Sequence, residues 1–223
     1  MSFRYCLMVV SVFLFKNNIY SQNDVKYIKE YIQNNWESSN VSDCSNLEYI
    51  DFIYSEADWK FYCEESKPAY CREFFSNDDD GNVVYFNAPA VKVLRDYFDG
   101  VIESIPSKDE WETLQQKLYS LPNQPGCHLF SSKTRSNCGH SSKGMHRACS
   151  PDLNNSMSIP CSSGFVSMVN NEIVFNEGKI RYWSDCGSFY TEFNLKNGSM
   201  KVKNLVVEGY VDYSGFMILL SKH

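Results

Sequence analysis

No stretch of this 223-residue chain stays apolar for the about 20 residues that a bilayer-crossing helix needs. The longest apolar run, Tyr5 to Phe15, stops well short, and the apolar tail Phe216 to Leu220 is shorter still. The mature product is therefore expected to be soluble, with no membrane span and no lipid-anchor signal. Excess positive charge is missing as well: 21 Lys and Arg face 27 Asp and Glu, a net charge of −6. That sign is wrong for a phosphate backbone, so nucleic acid is not an expected partner. No internal repeat is visible, which argues against solenoid and propeller arrays.

The short apolar run has a use of its own. Arg4 precedes it, and a polar stretch after it ends at Ile19-Tyr20-Ser21, which is the charged, apolar, small-residue order of a secretory signal. Residues 1–21 are read as that signal, which makes the mature chain secreted and removes Cys6. Eight cysteines remain, Cys44, Cys63, Cys71, Cys127, Cys138, Cys149, Cys161 and Cys186, and an even count in an oxidising compartment reads as a disulfide framework. It leaves no cysteine over for nucleophilic catalysis. Three sequons, at Asn40, Asn154 and Asn197, are compatible with a secreted glycoprotein.

The segment Cys138 to Cys161 has almost no apolar periodicity, so covalent or metal bonds have to offset the backbone entropy of ordering it, roughly 1 to 2 kcal/mol per residue. Cys138, His140, His146 and Cys149 do not have the spacing of a familiar zinc module. Disulfides are expected there and no metal. The loop Ser76 to Asn82 partly fits a calcium-binding pattern, but Asn87 stands where the bidentate Glu belongs, so an acidic turn before a buried strand is expected.

With 43% apolar and 15% aromatic residues the chain can bury a substantial core. Helices are expected over Asn23 to Trp36; from a capping box at Ser45 and Glu48 to Cys63; from Pro89 with Val91, Leu94, Phe98, Val101 and Ile105 inward; and from a second capping box, Ser107 and Glu110, with Trp111, Leu114, Leu118 and Leu121 inward. Pro122 and Pro125 end the last one. After the cysteine-rich loop come short β-branched and aromatic runs: Phe165–Val169, Glu172–Phe175, Lys179–Trp183, Ser188–Phe193, Lys201–Glu208 and Gly215–Leu220. The expected fold class is α+β (α/β in the second half): a mainly helical N-terminal subdomain, 22–125, packed on a small sheet-containing, strand-rich C-terminal one, 126–223, and stapled by disulfides.

Charge is unevenly spread. Cys44 to Glu112 is strongly acidic, whereas Thr113 to Asn171 carries Lys117, Lys133, Arg135, Lys143 and Arg147 against Asp152 alone. Two solvated surfaces of opposite sign are the simpler reading, and a positive rim for an anionic ligand the sharper one. His128, His140 and His146 have no partner carboxylate nearby in sequence, and on a Ser-rich stretch they read as solvated. Glu192, between aromatics on a predicted strand, reads from periodicity as an exposed strand residue opposite Phe193.

Several segments, in order, resemble the ADP-ribosyl cyclase / NAD glycohydrolase family: Ser42-Asp-Cys44-Ser and Cys63; Tyr70-Cys-Arg-Glu-Phe-Phe; Asn82-Val-Val-Tyr-Phe-Asn87; Asp96-Tyr97; Thr113-Leu-Gln115-Gln116-Lys-Leu; Cys138-Gly; Cys149-Ser-Pro151-Asp152; Cys161; Gly187-Ser-Phe-Tyr-Thr-Glu192-Phe-Asn-Leu; and the basic strand from Lys201. The resemblance covers Ser42 to Glu208. It implies a secreted enzyme that breaks the nicotinamide–ribose bond of NAD, a substrate and not a cofactor, with no cofactor needed. It implies Glu192 as the catalytic carboxylate steadying an oxocarbenium-like state, with Gln115, Ser188 and Phe189 lining the pocket for this small nucleotide, and disulfides Cys138–Cys149 and Cys63–Cys161. The chain departs from the family where the two pocket tryptophans fall, one at Asn87 and the other near Val166, and where a Glu-Asp pair becomes Gln115-Gln116. Trp111 or Trp183 would have to compensate. The alternative is a catalytically inactive, secreted, disulfide-rich binding or effector protein of the same fold.

Overall fold

The computed structural model describes residues 26–27, 30–32, 34–40, 49–72, 83–98, 103–121, 123–130, 164–205 and 211–222. The predicted signal, Cys44, Cys138, Cys149 and Cys161, the Ser45 capping box, the Ser76 to Asn82 loop, His140, His146 and the Asn154 sequon lie outside the described residues.

Helix α1, Glu56–Glu64, begins ten residues later than the Ser45 pattern predicts. Its cap is Ser55, whose side chain accepts from the Asp58 amide at 3.1 Å, and Glu56 and Asp58 in the first turn complement the helix dipole. The residues before it are drawn into a sheet instead. Strand β2, Asp51–Phe52, pairs in parallel with β3, Ala69–Arg72, and β3 pairs antiparallel with β4, Val84–Phe86. Helix α2, Ala88–Phe98, buries Ala90, Val91 and Leu94. It was expected to run on to Ile105, but Glu103–Ser104 is strand β5, and Ile105 is buried just after it, because the backbone there pairs with β11, Leu219–Lys222. The expected first helix is present in the described residues 26–27, 30–32 and 34–35, and Trp36, expected to close it, instead opens β1, Trp36–Asn40, on the other side of β11.

Helix α3, Lys108–Tyr119, follows its sequence closely. The Ser107–Glu110 capping box is formed in both directions, and Trp111, Leu114 and Leu118 face inward. Pro125, expected only to stop that helix, also opens a one-turn helix α4, Pro125–Leu129, since proline at the first helical position gives up an amide that has no partner there anyway.

In the second half β6, Gly164–Val169, and β7, Glu172–Glu177, form a hairpin. Its two-residue loop, Asn170-Asn171, has φ of 52° and 67°, which suits a primed turn and the tolerance of asparagine for left-handed backbone. Strands β8, Lys179–Trp183, β9, Phe189–Asn194, and β10, Met200–Asn204, form an antiparallel sheet with β9 in the middle. Residues 215–217 stitch the sheets together through bridges Val166–Gly215, Phe86–Phe216 and Tyr182–Met217. Glycine is required at 215 because a Cβ there would come within 2.8 Å of the Trp59 ring.

The fold is α+β, with two adjustments. The first half interleaves its helices with strands β1 to β5, and the one parallel pair among the described strands lies there, not in the second half, whose described strand pairs are antiparallel. One core cluster also joins Trp59 and Trp111 to Val166, Tyr182 and Phe193, so residues from 22–125 and 126–223 share an interior.

The disulfide staple needs correcting. Cys127 is disulfide-bonded, but Cys63, Cys71 and Cys186 are free thiols. The Cys63–Cys161 bridge implied by the resemblance is therefore not formed. Cys63 instead packs in the core, 5% exposed, with its sulfur 4.0 Å from Asn87 Nδ2.

Candidate functional site around Glu192

Residues facing one another across antiparallel strands point to the same side of a sheet. On β9 the register sets Glu192 opposite Arg181 of β8 and Lys201 of β10. One face of the three-stranded sheet thus carries Lys179 and Arg181, then Glu192, then Lys201 and Lys203. The opposite face carries Tyr182, Thr191 and Phe193 and packs on α3, where Trp111 stacks on Tyr182 at 5.9 Å and meets Phe193 edge-on at 6.5 Å.

Glu192 is buried, at 6% exposure, and both its oxygens are engaged. Oε2 accepts from Arg181 Nε at 2.9 Å and Nη2 at 2.7 Å. Oε1 accepts from Lys203 Nζ at 2.8 Å and lies 3.3 Å from Lys179 Nζ. Burial alone would raise the carboxyl pKa. The hydrogen bonds from Lys203 and Arg181, with their charges, outweigh it and hold the group below its ordinary value.

Arg181 is itself fixed from behind. Its guanidinium lies 3.6 Å from the centre of the Phe165 ring and 4.8 and 5.3 Å from those of Tyr190 and Phe216. A second acid, Asp212, also feels the Arg181 charge. Burial pushes the Asp212 carboxyl up; its Oδ1 accepts from the Ser214 amide at 2.9 Å, while Oδ2 is buried without a hydrogen-bond partner.

The other predicted site residues are not gathered around Glu192. Gln115 donates to the Met200 carbonyl at 2.9 Å, beside Tyr119, whose hydroxyl bonds the same carbonyl at 2.9 Å. These bonds tie α3 to β10 from the side of the sheet away from Glu192. Phe189 lies under the Lys108 ammonium, 5.2 Å from its ring centre, at the start of α3. Ser188 is exposed, and its carbonyl accepts from Leu205. Its residue number is close to that of Glu192, but it lies beyond the end of β9.

The positions of the family's tryptophans have other uses. Asn87 is fully buried: Oδ1 accepts from the amides of Ala69 at 3.0 Å and Ala90 at 3.1 Å, and Nδ2 donates to the Lys67 carbonyl at 2.8 Å. It caps α2 and clasps the start of β3. Val166 is buried in the core, and so are Trp111 and Trp183, whose indole nitrogens bond backbone carbonyls. Neither tryptophan is exposed to stack on a ligand. His128 is 5% exposed in α4 and so is not the solvated side chain expected.

Lys179, Arg181 and Lys203 were missed as partners of Glu192. The signal was there in the alternation Lys-x-Arg of β8 and Lys-x-Lys of β10, which puts like charges on one face of each strand flanking the central acid. Among the described residues, no helix is long and apolar enough to cross a membrane. No family model, curated protein or solved structure matches the chain.

Proposed function

We propose that the chain is a secreted, non-catalytic binding protein in which Glu192 organises a basic sheet face instead of driving cleavage of NAD. One observation carries this reading: the carboxylate that would have to steady a ribosyl cation is already matched by Arg181, Lys203 and Lys179. Electrostatic catalysis needs a preorganised field of the sign opposite to the charge that develops. Here the cations outnumber the acid, and the field on this face opposes a developing positive charge. The separation of Gln115 and Phe189 from Glu192 by the sheet supports the same reading. The exposed Asn197 in the β9–β10 turn is accessible to glycosylation, as secretion would allow.

The NAD-cleaving reading keeps one supporting feature, the burial of Glu192 in a half-sheet whose segment order resembles that of those enzymes. Purified mature protein incubated with NAD or its fluorescent etheno-analogue decides between them. No nicotinamide release is expected from the wild type or from Glu192→Gln. Release by the wild type that disappears in Glu192→Gln would overturn the proposal.

A further inference from the structure

We infer that the Glu192 face of the β8–β9–β10 sheet is a binding site for the phosphate group of a small molecule, with Lys179, Lys201 and Lys203 as its donors and Glu192 and Arg181 as its frame. The inference rests on the non-catalytic reading in taking Glu192 as an organiser of cations.

Four cationic side chains, Lys179, Arg181, Lys201 and Lys203, stand on this face by register, against Glu192 on the same face and Asp212 near Arg181. Even with both acids ionised, positive charge is in excess. Self-repulsion would normally spread such lysines apart. Glu192 prevents this by holding the ammonium groups of Lys179 and Lys203 within 3.3 and 2.8 Å of one oxygen, Oε1. Their convergence is therefore built before any ligand arrives, which lowers the ordering cost of binding.

The frame is rigid and the donors are not sealed off. Arg181, 15% exposed, is pinned between Glu192 and the Phe165 ring, whereas the side chains of Lys179 and Lys203 are 40% and 34% exposed and Lys201 is open to solvent. Among the described residues Lys201 takes part in no ion pair, and it is the free arm of the site.

Such a set favours a phosphate over a carboxylate. Ammonium groups are compact point charges with several donors each, and Glu192 Oε2 already occupies the Nε–Nη2 edge of Arg181 that would otherwise grip a carboxylate. A dianionic tetrahedral group can accept from several ammoniums at once, and its second charge meets the excess that one carboxylate leaves.

Titration of the mature protein with inorganic pyrophosphate, followed by calorimetry at low salt, tests this. A saturable single site is expected, weakened about tenfold or more in Lys201→Gln/Lys203→Gln and unchanged in Lys196→Gln, a control at an exposed lysine of the β9–β10 turn. Lysine acetylation footprinting of the wild type gives a second readout that needs no folded variant: pyrophosphate should protect Lys179, Lys201 and Lys203 and leave Lys196 reactive. Absence of saturable binding, equal weakening in the Lys196 control, or equal protection of all four lysines would overturn the site. Each of these results is independent of the NAD assay. Turnover lost in Glu192→Gln overturns the non-catalytic reading, whereas absent pyrophosphate binding without turnover overturns this inference alone.

Discussion

Arg181 directs Nε and Nη2 at the same oxygen of Glu192, at 2.9 and 2.7 Å, across two neighbouring antiparallel strands. The contact is intramolecular, buried and charge-assisted, and it makes Glu192 a structural member of the sheet. Removing that carboxyl charge leaves the cations facing a neutral group, with no negative charge between them. Glu192→Gln is expected to destabilise the fold by about 3 kcal/mol, the low end for breaking a buried pair because the lysines are partly solvated. Urea unfolding measures it.

The same pair sets a pH dependence. A carboxyl held below its ordinary 4.5 contributes stability that is present above that value and is lost as pH falls through the depressed folded pKa. Wild-type stability should therefore fall on acidification below about 4.5, with Glu192→Gln lacking that part of the slope. Parallel thermal melts across acid pH check it; identical slopes would refute it.

Asp212 should behave in the opposite sense. Burial raises its pKa above 3.8, so ionising it costs stability as pH rises through the raised value. Asp212→Asn retains an Oδ1 acceptor for the Ser214 amide and removes the charge. Its stability relative to wild type should improve with rising pH, read from the same melts.

Thiol reactivity should divide by burial. Burial pushes Cys63 up to about 12 and Cys71 well above the ordinary thiol value, so neither supplies a thiolate near neutral pH. Iodoacetamide labelling of the native protein, mapped by mass spectrometry, should modify the half-buried Cys186 first, and Cys63 and Cys71 only after unfolding.

Asn87→Ala removes a helix cap, takes this partner from the buried Ala69 amide, and frees the part-buried Lys67 carbonyl. A loss of about 2 to 4 kcal/mol is expected from those effects together. Chemical denaturation measures it, and a loss under about 1 kcal/mol would show that water replaces the side chain there.

Much of the local structure was legible in the sequence by itself. The Ser107–Glu110 box, the inward stripe of Trp111, Leu114 and Leu118, and the alternating runs of β6 to β10 are short-range patterns whose hydrogen bonds close within a few residues or across a hairpin. The charges that surround Glu192 were written there too, since strand alternation fixes which residues share a face. Only the tertiary structure decided the long-range choices. Trp36 and Ser104 became strand residues because β11 arrives between them from the far end of the chain. Asn87 became a buried clasp because β3 and α2 meet at its amide group, and Gln115 was separated from Glu192 because α3 covers the other side of the sheet. Local spacing determines which way a side chain points, but which neighbours it meets depends on packing between segments distant in sequence, and that decided what Glu192 is surrounded by.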